Sequence, residues 1–170
     1  TTATFAVRPE VGIAVDVAHA SDDPGNTRKT TIPCKFGGGP AISHGPNTNP
    51  VVERLLWHVA REHDIAAQSL PSADLEANDS KAIQVAAHGV AAASVSIPLR
   101  NMHTQAEVCQ LSDIDDTARL LAEFVAGIDD RTDFRPLGSA LAEGDASSTG
   151  PDGPGSARRN GRRRGRAAPA

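Results

Sequence analysis

The chain predicts an α/β fold, with helices packed over a largely parallel sheet. Residues 11–20 and 90–97 are apolar on both parities, the pattern of strands covered on both faces. The stretches that begin at Asn49, Asp79 and Ser112 carry apolar residues at helical spacing. With one Trp and no Tyr in 170 residues, the core must be built from Ala, Val, Leu and Ile, and that length suffices for one domain.

Each element has its own local reason. Thr1 to Val7 alternates and is β-prone, so it is expected to be extended up to Pro9. The 11–20 strand delivers one carboxylate, Asp16, near its end. A buried carboxylate needs a partner, and open parallel sheets bind ligands beyond the carboxyl ends of their strands. On this strand alone, the stronger reading of Asp16 is a loop cap or a partner for a basic side chain. Asp22 and Asp23, ahead of Pro24-Gly25, read as solvated turn acids rather than an acid/base pair. Phe36-Gly37-Gly38-Gly39-Pro40 lacks the Lys-Ser/Thr ending of a phosphate loop and is expected to be a flexible turn before Ala41-Ile42-Ser43.

Asn49 is a favoured N-cap and Pro50 suits the first helical position. Val52, Leu55, Leu56 and Val59 then form a stripe, and the helix is expected to end near His63. His58 and His63 read as ordinary surface positions. Residues 65–70 suit a short strand. A helix over 79–88 would pack through Ile83, Ala86 and Ala87 and stop at Gly89. The 90–97 strand is expected to end at Pro98. The best helix spans 112–126, with Ser112 and Asp115 as a variant capping box and Ile114, Ala118, Leu121, Phe124 and Val125 as its buried stripe.

Composition excludes several classes. Cys34 and Cys109 lie far apart without metal-like spacing, so no disulfide framework is expected. No apolar run approaches a membrane span, and a cytoplasmic protein without a membrane partner is expected. The start Thr1-Thr2-Ala3-Thr4 has neither initiator Met nor signal pattern and reads as mid-protein. Net charge is −4, no general argument for nucleic acid. Periodicity stops after Leu137, so residues 1–137 form the domain and 138–170 a disordered Gly/Pro/Ser- and Arg-rich tail. Six arginines, including Arg158 and Arg166, could touch nucleic acid nonspecifically, but no aromatic is there to stack bases. An out-of-frame translation of GC-rich DNA would have the same composition.

Asp16 and His103 each lie at or just past the end of a buried-looking strand. Carboxylate and imidazole suit zinc or a similar ion, but two ligands are too few, and His19, three residues after Asp16, is an uncertain third. Residues 15–25 (Val15-Asp16-Val17-Ala18-His19-Ala20, then Asp22-Asp23-Pro24-Gly25) resemble the "DVTHAGDxPG" segment of the glutamyl-aminopeptidase and tetrahedral-aminopeptidase family, also known as endoglucanases. Gly37-Gly38-Gly39-Pro40 is similar to its "GKGP", Gly45 to Pro50 to its "GPNINP", and Ile97 to Val108 to its "IPLRYMHSPVEV". These motifs occur in order between about Thr1 and Ile128.

The resemblance implies a three-layer α/β/α metallopeptidase catalytic domain with a mixed, largely parallel sheet. It implies an aminopeptidase acting on peptides through two divalent metals, zinc or cobalt, and a homo-oligomeric parent. Asp16 would ligate one metal and His103 the other. The family's first His, bridging Asp and Glu pair precede the region represented here, so the chain resembles the C-terminal part of the catalytic domain without its base. Glu76-Ala77-Asn78-Asp79-Ser80 stands where the family has a "GTDA"-like segment; Asp79 matches, the Gly and Thr do not. The alternatives are a non-catalytic remnant acting in assembly or binding, and a glycosidase, which lacks a suitable acid pair.

Overall fold

The computed structural model describes residues 2–22, 32–74 and 78–137. The expectations for Asp23 and for the tail lie outside them. The elements run α1 (Thr2–Val7), β1 (Val11–His19), β2 (Ala41–His44), α2 (Pro50–Glu62), β3 (Gln68–Pro71), α3 (Asp79–Gln84), β4 (Ala91–Arg100), β5 (Val108–Cys109) and α4 (Leu111–Ala126). The strands form one mixed sheet in the order β1-β4-β2-β3, with β5 also on β4. The parallel ladders are the long ones: nine residue pairs join β1 to β4 and four join β2 to β3. The antiparallel β2–β4 and β4–β5 contacts have two pairs each. The fold is α/β, with helices on both faces.

Strand parity sorts the two faces. Ile42, Ala93 and Val95 pack with Val52, Leu56 and Val59 of α2 and Leu120 and Phe124 of α4 to make the main core. On the other face Gly12 meets α3 so closely that an added Cβ would lie 2.7 Å from Ile83 Cγ2. Ala18, Cys34 and Ala41 form a smaller cluster. α2 follows its sequence signals: the Asn49 side chain accepts from the Val51 and Val52 amides, Pro50 opens the helix, and His63 ends it.

Several expectations change. Residues 2–7 are helical, not extended, and none of them is buried, so no neighbouring strand selects the extended form. Among the described residues β1 is the outer strand of the sheet, and Val15, Asp16 and Val17 are exposed rather than covered on both faces. β4 runs through Pro98 to Arg100. The Asn49 amide bonds Ala92 O on the β2 side, so by alternation the Pro98 nitrogen also faces that side, beyond the start of β2 at Ala41. The third strand is shifted to Gln68–Pro71, and α3 stops at Gln84. Ala87 takes a positive φ of 52° and is exposed.

α4 is capped at Gln110, not Ser112, with no side-chain cap. It buries Asp113, Thr117, Leu120 and Phe124, a stripe turned by about one residue, or roughly 100°. Ile114, Ala118 and Val125, expected inside, are exposed. Both cysteines are free. No helix among the described residues is long and apolar enough to cross a membrane.

Candidate active-site edge

β1 and β4 are parallel with Asp16 opposite Ser96 and His19 opposite Leu99, so their carboxyl ends open on one edge of the sheet. Asp16 lies three residues before the end of β1. His103 lies in the loop just past Arg100, the last residue of β4. Both are exposed. Side chains alternate along a strand, so Asp16 lies on the α3 face with Gly12, while His19 points to the opposite face. The register sets Asp16 opposite Ser96, seven residues before His103, and strand alternation turns His19 away from Asp16. The Asp16 carboxylate accepts the amide of Val17 at 2.8 Å. Asp79 begins α3 and is exposed; Asn78 caps that helix and donates to Ser94 Oγ.

The His103 loop is held from both ends. His103 has a positive φ of 62°, and its amide donates to Glu107 Oε1 at 2.6 Å. At its base, Arg100 Nη2 donates to Asp22 Oδ1 at 3.1 Å, and the guanidinium lies 4.6 Å from the centre of the Phe36 ring. Asp22 also accepts the Phe36 amide. Burial pushes the Asp22 carboxyl upward, but the hydrogen bonds from Arg100 and Phe36 and the Arg100 charge outweigh it, and the carboxyl sits below its ordinary value. Asp22 is therefore a structural anchor, not a solvated turn acid.

The glycine segment is equally constrained. Asp113 is fully buried; its Oδ2 accepts the Gly37 amide and its Oδ1 the Gly39 amide, both at 2.9 Å. Gly37 and Gly39 have φ of 75° and 78°, a region that strongly favours glycine. Gln68 adds bonds to Lys35 N, Lys35 O and Gly39 O. The segment expected to be a flexible turn is a clamped loop that presents Phe36 to Arg100. Asp113 bonds amides 74 and 76 residues away, and Asp22 bonds Arg100 78 residues away, so no local pattern could have revealed these anchoring roles. Glu107 stood within the 97–108 segment quoted above without a role of its own. His58 and His63 remain surface positions, facing Glu62 at 3.3 Å and Glu123 at 3.7 Å.

The M42 glutamyl aminopeptidase family model matches residues 1–120. The chain belongs to the M42 glutamyl aminopeptidase family. This M42 chain is 39% identical over 118 residues to a lysyl aminopeptidase of Pyrococcus furiosus, covering 69% of the chain and 33% of that protein. It is 33% identical over 127 residues to a putative aminopeptidase of Acetivibrio thermocellus, covering 73% and 37%. Among solved structures it resembles an aminopeptidase from Desulfurococcus kamchatkensis, with a TM-score of 0.64, 33% identity, and 73% and 36% of the two chains covered. The chain thus spans about a third of the length of the curated relatives it matches.

A catalytic zinc normally takes three protein ligands. Among the described residues no three His, Cys, Asp or Glu side chains gather in a way that could hold a metal ion. By themselves, the described residues of this M42 chain do not complete such a site.

Proposed function

We propose that this chain is part of the catalytic domain of a metal-dependent aminopeptidase that removes N-terminal residues from peptides. Its contribution to a site for two divalent metals, zinc or cobalt, is one donor each from Asp16 and His103. The remaining ligands and the catalytic Glu belong to polypeptide outside the third that matches. The carrying observation is the M42 match over residues 1–120, which contains both donors. The parallel β1–β4 pairing supports it, because it opens both strand ends on one edge. Within this chain, the Asp22–Arg100–Phe36 group and Glu107 hold the His103 loop at that edge. Glu10, just before β1, and Glu107, bound to the His103 amide, do not replace the missing base. A homo-oligomeric parent in a cytoplasmic setting completes the reading.

The test is hydrolysis of aminoacyl-p-nitroanilides with added zinc or cobalt. The isolated chain is expected to be inactive. A chimera in which it replaces the equivalent third of the Pyrococcus furiosus lysyl aminopeptidase is expected to be active, and to lose activity with Asp16→Ala or His103→Ala. Metal-dependent turnover by the isolated chain would overturn the incomplete-site reading. An active chimera indifferent to both substitutions would overturn the donor assignment.

A further inference from the structure

Val59 of α2 and Phe124 of α4 belong to one core cluster, and the groove over them does not close. It is a cleft of about 360 Å³, lined by the last two turns of α2, the end of α4 and the turn that follows. Its floor is apolar: Val59 and Phe124 are buried, and Leu55 and Ile128 are partly so. Its rim carries His58, Glu62, His63 and Glu123, whose side chains are 34–65% exposed. An apolar floor with a few polar groups at the rim is the usual anatomy of a small-molecule site, and the volume suits one.

The two carboxylates stand where local physics disfavours them. Glu62 is the last residue of α2 and Glu123 lies in the last turn of α4. The free carbonyls there already carry partial negative charge, so a helix end favours Lys or Arg. The last turn of α4 has no basic residue. Each carboxylate faces a histidine instead: Glu62 Oε2 is 3.3 Å from His58 Nε2, and Glu123 Oε2 is 3.7 Å from His63 Nε2. A histidine offers a positive charge only when protonated. Arg119 donates to the His63 carbonyl at 2.7 Å and does not line the cleft. Among the described residues, none that lines it is Lys or Arg. Local rules of this kind are broken mainly at functional sites.

We propose that this cleft binds a small organic amine, with an alkyl or aryl chain on the Val59–Phe124 floor and its ammonium meeting Glu62 and Glu123. Both the carboxylates and the helix C-termini favour a cation. The floor favours a short apolar chain. An ammonium has three N–H donors to share between two carboxylates. A metal ion is the weaker occupant, because no three donors gather to hold one among the described residues. The site lies away from Asp16 and His103 in the chain and stands independently of the aminopeptidase reading.

The test is titration of the 170-residue chain with phenethylamine, followed by the methyl signals of Leu55, Val59 and Ile128. Saturable shifts with a Kd of about 0.1–1 mM are expected for so small a ligand. Phenethyl alcohol, similar in shape but uncharged, should bind at least about 10-fold more weakly, and phenylacetate should not bind. Glu62→Gln and Glu123→Gln should each weaken phenethylamine binding by about 3- to 10-fold, and together reduce it to that of the alcohol. Neither substitution should harm the fold, since each removes an acid from a helix C-terminus. Val7 and Val85, exposed apolar residues outside the cleft, should keep their methyl signals unmoved. Run in parallel on the chimera, which keeps α2 and α4, the titration should rank the ligands in the same order. Three results would overturn the proposal. One is an alcohol or phenylacetate that binds as tightly as the amine. Another is an amine affinity unchanged in the double variant. The third is a shift that grows without saturating or spreads to Val7 and Val85, the mark of nonspecific contact.

Discussion

Asp113→Asn isolates the contact that turns the glycine segment into a fixed loop. The wild-type carboxylate accepts two backbone amides, from Gly37 and Gly39, at 2.9 Å each and with no solvent exposure. The amide side chain keeps one acceptor oxygen but turns an NH2 toward the second N–H. One charge-assisted bond is lost, the other is weakened, and a buried donor is left without a partner. Hydrogen bonds to charged groups contribute about 1.5–3 kcal/mol, and a buried unsatisfied donor costs about 1–3 kcal/mol. These overlap, so the expected loss is about 2–4 kcal/mol, a large share of the stability of a domain. With a urea slope of about 1.5 kcal/mol per M, the midpoint should fall by about 1–3 M. Trp57, the sole tryptophan and packed against the core, reports the transition by its fluorescence. Asp115→Asn, on the exposed side of the same helix, should stay within about 0.5 kcal/mol. An Asp113→Asn midpoint equal to that control, with the Gly37 and Gly39 amides still protected from exchange, would refute the clamp.

Two further outcomes follow from neighbouring contacts. Gly39→Ala should destabilise by about 3 kcal/mol or more in the same urea experiment, because the new Cβ would lie 2.0 Å from Ala66 O at a φ of 78°. Cys34 is almost fully buried; burial, then the Asp113 and Asp22 charges, push its thiol from 9.0 up to about 11. The folded state therefore holds this proton more tightly than the unfolded state. That stabilisation is complete below about pH 9 and lost as pH rises toward about 11, and Cys34→Ala should remove this alkaline decline. At pH 8 a thiol reagent should label the half-buried Cys109 first and reach Cys34 only on unfolding.

Local chemistry was legible in the residues alone. Asn49-Pro50 announced the start of α2, because an N-cap acceptor and a proline at the first turn act within four residues. The apolar runs announced β1 and β4 and hence an α/β class, and the ordered motifs between Val15 and Val108 announced the family. What the residues could not specify is which apolar surface finds a partner. Tertiary packing turned α4 so that Asp113 and Thr117 lie inside while Val125 lies outside, because Asp113 is satisfied by amides 74 to 76 residues earlier in the chain. A hydrophobic count always scores a carboxylate as surface; only the fold supplies the two N–H groups that make its burial favourable. The same holds for β1, whose doubly apolar pattern describes a central strand. The structure makes it an edge, since a strand's position depends on which chain lies beside it, and the β1 sequence records only the surface it can bury. Likewise the alternation of Asp16 and His19 onto opposite faces, and the parallel register that sets the carboxyl ends of β1 and β4 on one edge, are properties of the paired sheet and of no single stretch.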